Sequence, residues 1–378
     1  MGYLFKKFSE ILFRVFVIIL FFLLLPGAFG QVRDTIIAED ILGMSLEDMM
    51  KMEVVSASKV SQQINEVPAN IRVITAEQIK ERGYFTLEQA LGDLPGFQFR
   101  NINGFNTYSF LRCIPNQNNL ILLLVDGIQM NELNSGGFYG GAQYNLANVE
   151  RIEVVYGPAS SLYGTNAVSG IINIITKKPG EANAGHISSS FGNFDTYAAD
   201  FGYEYINEEE DAGFRISGMF RTSEKADLSG ESGDYNWTDQ MENFEDDYTF
   251  NAFLKYKSLS AGAIYQNKQS SRTTNYKSVG DEYLDRGTLW NIDFLNAYLK
   301  HEYDQGKNWS NNVQVYFRNT TVRDNSIGYI IKADSTQAGD QVGYFRPNYL
   351  GGVEEQFNFN LKKSIYFTGG IVYEFESL

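Results

Sequence analysis

A chain of 378 residues in which 46 Asp and Glu face 31 Lys and Arg has a formal charge of −15. That balance sets it against phosphate backbones and excludes nucleic acid as a partner. A single cysteine, Cys113, permits no intrachain disulfide and no cysteine metal cluster, and the two histidines, His186 and His301, lie far apart. No metal and no cofactor are expected.

Lys6, Lys7 and Arg14 precede the apolar run Val15–Leu25, and Ala28-Phe29-Gly30 follows. A charged start, a short apolar centre and a small-residue site predict a cleaved signal peptide over residues 1–30. The run is too short to span roughly 30 Å of hydrocarbon, which weighs against the alternative of a membrane anchor. Residues 31–60 then form a lead-in segment, in which "MSLEDMMKM" (44–52) reads as a short helix opened by Ser45.

Residues 61–182 read as a compact α+β domain. Thr75 with Gln78 and Thr86 with Gln89 are capping boxes that open two short helices. Buried strands are expected at "NIRVIT" (70–75), "NLILLLVDGIQM" (119–130), "VERIEVVYG" (149–157) and "GIINIITKK" (170–178), several apolar without interruption and so covered on both faces. Between the last two lies "GPASSLYGTNAVSG", where Gly157, Pro158, Gly164 and Gly170 raise the question of a phosphate loop. A phosphate loop needs Gly-Lys-Ser/Thr entering a helix, and Gly164-Thr165-Asn166 has no lysine. The glycines are therefore assigned to backbone geometry. Gly157 and Gly164 bracket a tight loop, and Gly170 opens a strand expected to pass close to the wall of a surrounding barrel.

Beyond residue 182 the pattern changes to alternation, as in "TFNAFLKYK", "NNVQVYFRN" and "EQFNFNLKK". Nine strands are expected, at 184–191, 195–206, 212–222, 247–257, 259–271, 290–303, 308–320, 346–361 and 365–376. Links after the second, fourth, sixth and eighth are tight, whereas those after the third, fifth and seventh are long and polar. Short turns on one side and long loops on the other predict transmembrane β-barrel strands over 183–378, with lipid against the Phe, Tyr, Val and Leu face; a soluble β-sandwich is the alternative.

Leader, α+β domain and barrel strands, in that order, resemble the TonB-dependent outer-membrane receptors, whose plug domain fills a barrel. The match is carried by "ERIEVVYGPASSLYGTNAVSGIINIITKK", with Arg151, Gly157, Pro158, Tyr163, Gly164 and Gly170 in place, by Asp126-Gly127 in "LLLVDGIQM", and by "LEQALGDLPGF". The resemblance implies an importer of a scarce bulky ligand such as a ferric siderophore or a cobalamin-like compound, in the outer membrane, energised by a TonB-type periplasmic partner. Alternatives are a surface-binding receptor, a passive plugged channel, or the product of a broken gene. No Ser/His/Asp order, paired carboxylates or metal cluster points to an enzyme.

The resemblance also assigns residues. "MEVVSASK" resembles the TonB box, so Glu53, Val54, Val55, Ser56, Ala57 and Ser58 are the expected partner-binding segment, an extended stretch suited to strand addition; an ordinary first plug strand or a linker is the alternative. Arg112 and Arg151 are the implied plug arginines that lock onto barrel glutamates, or else solvated surface charges. Phe105, Tyr108, Phe138, Tyr139 and Tyr144 are ligand-contact candidates, or else rings that pack plug loops together. The acids of loop 222–246 either attract cationic ligands or are simply solvated. A plugged barrel of this type has about 22 strands of about 9–11 residues. Residues 183–378 cannot supply that, so the chain is expected to be the N-terminal portion of a longer receptor with an open, curved sheet.

Overall fold

The computed structural model describes residues 52–56, 59, 61–67, 69–101, 107–116, 120–164, 167–180, 183–225, 244–271, 289–304, 309–331, 340–343, 345–362 and 365–377. They fall in one compact unit, Glu47–Leu378. The signal peptide, the helix expected at 44–52 save its last residue, Ala57, Ser58, Phe105 and most of loop 222–246 lie outside the described residues.

In the first half, β1 (Glu53–Val54) and β2 (Gln62–Gln63) form a short antiparallel pair. β3 (Asn70–Thr75) leads into α1 (Ala76–Arg82), and α2 (Leu87–Gly92) follows. Both capping boxes form: the Thr75 and Thr86 hydroxyls accept from the Gln78 and Gln89 amides, and each glutamine side chain takes its threonine's N–H. Gly83, at φ 65°, closes α1 in the left-handed region, where a glycine carries no Cβ penalty. β4 (Phe97–Asn101), β5 (Thr107–Leu111) and β6 (Ile114–Pro115) make a small sheet of their own.

β7 (Ile121–Val125), β8 (Ile128–Gln129), β9 (Val149–Tyr156), the one-turn α3 (Ser160–Tyr163) and β10 (Gly170–Thr176) complete this half. Its central sheet has the order β3-β9-β10-β7-β8, with β7 and β10 parallel. The apolar run at 119–130 is thus not one strand. Asp126 and Gly127 both have positive φ, 50° and 83°, and turn the chain back in a two-residue hairpin. Asp126 is held there because its carboxylate accepts from the Thr176 N–H at 3.0 Å and hydroxyl at 2.6 Å. Gly170 does not meet a barrel wall. A Cβ there would lie 2.6 Å from Leu111 Cδ2 and 2.7 Å from the Val155 carbonyl, so the close approach is within this domain.

The second half is a single antiparallel sheet. β11 (Ala184–Gly192), β12 (Thr196–Asn207), β13 (Ala212–Ser223), β14 (Glu245–Tyr256), β15 (Leu259–Ser271), β16 (Leu289–Asp304) and β17 (Trp309–Val322) pair in sequence. The hairpin β18 (Ile327–Ile331) and β19 (Asp340–Gly343) stands apart, and β20 (Tyr349–Lys362) and β21 (Ile365–Ser377) finish the nine-stranded sheet, which is not closed. All nine strands fall within a few residues of their expected positions. The β18–β19 hairpin was hidden in a segment whose polarity reads as loop.

Alternation sorts the sheet's side chains. Phe250, Leu254, Leu295, Leu299, Val315 and Val353 are exposed on one face. On the other, Ser217, Asp247, Thr249, Gln266, Lys268, Asn296 and Arg318 are buried, because the α+β domain covers them. Ile264, Trp290, Ile292, Phe294 and Val322 of the sheet share one apolar cluster with Leu87, Leu91, Met130 and Phe138 of that domain. Both halves therefore have one core.

Asn131 fixes the loop that enters this seam. Its Oδ1 accepts from the Leu123 N–H, and its Nδ2 donates to the Ile121 and Gly136 carbonyls, each at 2.9 Å. Asn131→Ala leaves these three backbone groups without that partner, for an expected loss of about 3 kcal/mol. The urea midpoint read from Trp290 fluorescence, with Trp237 and Trp309 replaced by Phe, should fall accordingly. An unchanged midpoint would show that the loop is held by other contacts.

Candidate functional site

Of the lead-in segment, the described residues 52–56 and 59 are docked on the domain. Glu153, mid-way along β9 and opposite Asn173 of β10, has a fully buried side chain. Its Oε2 accepts from the Val55 N–H at 3.1 Å, the Ser56 N–H at 2.9 Å and the Ser56 hydroxyl at 2.5 Å. Its Oε1 accepts from Arg151 Nε at 2.8 Å. Four donors on one carboxylate satisfy a charge that would otherwise be costly to bury.

The residues around Glu153 complete the seat. Asn173 donates from Nδ2 to the Ser56 hydroxyl oxygen at 3.0 Å, so Ser56 acts as both donor and acceptor. Val54 is buried among Ile71, Leu122, Leu124, Val155 and Ile171. Lys59, at φ 59°, turns its backbone N–H to the Val55 carbonyl and reaches Glu354 of β20 with its amine at 2.5 Å. The same amine stands 4.9 Å above the Tyr163 ring, and Gln356 donates to the Lys59 carbonyl at 3.3 Å. Burial raises the Tyr163 phenol above its ordinary value, and the Glu153 and Glu354 charges push the same way.

The glycine-rich loop serves this seat. The Gly157 N–H bonds the Ser169 carbonyl and the Ala159 N–H bonds that of Ala167, which closes the loop around α3. Gly157 and Gly164 have φ 110° and 76°, conformations that suit glycine. Together they place Tyr163 beside Lys59.

The two arginines implied as locks bind elsewhere. Arg151 pairs with Glu150 and Glu153, both on its own strand. Arg112 and Cys113, at φ 50° and 67°, form the turn between β5 and β6, and the Arg112 guanidinium stacks 5.1 Å from the Tyr156 ring centre. Cys113 is exposed in that tight turn. Cations of the sheet hold the seam instead. Arg215 donates to Asn148 Oδ1 at 2.7 Å, and Arg318 donates to the Asn131 carbonyl at 2.9 Å and to Gln129 at 3.2 Å.

The aromatic candidates divide. Phe138, Tyr139 and Tyr144 are buried, and the Tyr139 ring meets Phe294 of β16 edge-on at 6.1 Å. Tyr108 is half-buried on β5. Glu153, Arg215 and Arg318 were given no role from sequence. Arg318 stood on the polar phase of "NNVQVYFRN", which was the available signal. Glu153 lay inside the matched motif.

Residues 63–171 match the TonB-dependent Receptor Plug Domain family. A vitamin B12 transporter of Vibrio vulnificus, BtuB, is 26% identical over 66% of this chain and 47% of its own length. The pyoverdine outer membrane receptor FpvA of Pseudomonas aeruginosa superposes over 86% of this chain and 48% of its own, with a TM-score of 0.65 and 16% identity. BauA, the ferric preacinetobactin receptor of Acinetobacter baumannii, covers 85% of this chain and 49% of its own, with a TM-score of 0.60 and 13% identity. The chain thus spans about half the length of the relatives it matches. Residues 63–171 thus form a plug domain of the TonB-dependent receptor family, and the antiparallel sheet that follows shares the fold of the walls of such receptors.

Proposed function

We propose that this chain is the plug and leading wall of an outer-membrane importer for a scarce bulky ligand, a ferric siderophore or a cobalamin-like compound. A TonB-type protein in the periplasm takes residues 53–58 by strand addition and pulls. The relatives, a vitamin B12 transporter, a pyoverdine receptor and a ferric preacinetobactin receptor, support the ligand class. The exposed apolar face of the sheet suits lipid contact, as in outer-membrane barrels.

One observation carries the reading: the docked segment is fastened to the plug's central sheet through Glu153. Force applied to that segment is delivered to the domain that covers the sheet's inner face. Successive N–H groups of an extended strand point to opposite edges, so strand addition needs one of the two, Val55 or Ser56, and Glu153 holds both. The docked and captured states therefore exclude each other, and release from Glu153 precedes capture.

Two measurements test this. Val55→Pro removes one of those N–H groups and blocks strand pairing. In cells making the native receptor, uptake of whichever probe the parent imports, radiolabelled ferric siderophores or cyanocobalamin supplied separately, should fall at least tenfold while membrane insertion is unchanged. Undiminished uptake would remove the partner role from this segment. Glu153→Gln keeps the shape but replaces charge-assisted bonds by neutral ones, a loss of roughly 1–2 kcal/mol. Protease cleavage within 52–59 should accelerate about tenfold, by the same conversion. A cleavage rate equal to the parent's would show that Glu153 does not hold the segment.

A further inference from the structure

The loop 131–145 includes the two-glycine turn Gly140-Gly141, and the contacts around that turn are unusually close. A Cβ at Gly140 would lie 2.9 Å from the Cγ and Cδ of Glu88, on α2 of the plug. A Cβ at Gly141, where φ is +129°, would lie 2.8 Å from Lys268 Nζ, on β15 of the sheet, and 2.7 Å from Gln143 Oε1. Glu88 and Lys268 thus press on adjacent residues of the turn, one from the plug and one from the wall. A side chain at Gly140 would have to displace Glu88, and one at Gly141 the Lys268 amine or the Gln143 side chain.

Lys268 is expensive to place there. Its side chain is 5% exposed, with Glu245 at 3.1 Å and Asp247 at 3.4 Å on β14. Arg221 of β13 and Lys225 beyond its end add positive charge near those acids. Burial raises the Glu88 carboxyl above its ordinary value, and the Lys268 charge opposes that rise. A buried amine at a seam is retained only where its partners compensate it.

The compensation is incomplete. Glu88 Oε2, Gln143 Oε1 and Asp247 Oδ1 are buried without a hydrogen-bond donor among the described residues. A polar network with acceptors left over is rigid while closed, yet it gains those missing bonds from water as soon as it parts. By contrast, Asn131 at the start of the same loop is bonded at both side-chain atoms. At the other end single bonds, Leu87 N–H to the Gly141 carbonyl at 3.3 Å and Gln266 to the Gln143 carbonyl at 3.0 Å, hold the loop beside the buried charges of Glu88 and Lys268.

We infer that loop 131–145 is a latch between plug and wall, with Lys268 as its keeper and Glu88 as the plug-side counter-charge. It swings from its fixed end at Asn131 and opens at Gly140-Gly141. The rings of Phe138, Tyr139 and Tyr144 are then the buried face of the latch, and they become accessible only when it opens. The latch stands independently of the transport reading, because it concerns how the plug is seated.

The test uses the native receptor chain in detergent, with Cys113→Ser to remove the existing thiol and Ala142→Cys as reporter, since Ala142 is buried in the closed latch. Maleimide labelling should be slow in this parent. Lys268→Met should raise its rate at least tenfold and Glu88→Gln severalfold, and the two together should exceed Lys268→Met alone by little, as expected of groups acting as one unit. Parent-level labelling in Lys268→Met overturns the keeper role. Parent-level labelling in Glu88→Gln, or fully multiplicative rates in the double variant, overturns the pairing. If Lys268→Met does not insert, Gly141→Ala decides: it leaves every charge in place and displaces the amine, so labelling should rise, and a parent-level rate overturns the latch.

Discussion

The structure depends on one constraint: the sheet has a polar inner face, and the plug buries it. Strand alternation places Asp247, Gln266, Lys268 and Arg318 inward, where the covering domain takes them out of water. Each then needs a partner, and the partners are found on the plug's loops as well as on neighbouring strands. Gln266 donates to the Gln143 carbonyl, Arg318 to the Asn131 carbonyl, and Thr320 accepts from the Leu133 N–H. The apolar cluster shared across the seam supplies burial, but these bonds set where the plug sits. A greasy contact tolerates sliding, whereas a guanidinium aimed at one carbonyl does not.

Much of this was legible in the sequence because its causes are local. Two threonine-to-glutamine capping boxes fixed the helix starts, and a period of two placed all nine strands of the wall. Asp126-Gly127 was visible as part of a matched motif, although the apolar run around it concealed that β7 and β8 are separate strands. What stayed hidden is long-range. Glu153 meets Ser56 across 97 residues of sequence, and Lys59 meets Glu354 across 295. Nothing in either local window distinguishes such a carboxylate from a solvated one.

The polarity of the seam is the clearest case. Arginines on the plug were expected to seek acids on the wall. Here Arg151 is consumed by Glu153, the residue that seats the docked segment, so it serves the docking site. The wall contributes the guanidiniums of Arg215 and Arg318, and the plug contributes amide and carbonyl oxygens. Arg215 is also compensated by Glu204 of β12 at 2.6 Å, whereas Arg318 is hydrogen-bonded to neutral oxygens. A wall cation on a plug carbonyl supplies direction and leaves the plug acids free for other tasks.

The two ends of the plug are joined by its stiffest part. Ser56 is bonded to Glu153 on β9 and Asn173 on β10, and β10 lies parallel beside β7 in continuous register from Gly170 to Ile174. β7 in turn is bonded through Leu123 and Ile121 to Asn131, the fixed end of the loop against the wall. A load applied at residue 56 meets paired strands first, and their bonds share it. It meets isolated contacts only at the seam. There Arg215 is bonded to Asn148 and Glu204 and Arg318 keeps one buried N–H without an acceptor among the described residues, while the Lys268 cluster has three acceptors to spare that water would satisfy. Separation begins where parting returns the most hydrogen bonds per bond broken, and in this molecule that place is the two-glycine turn rather than the sheet.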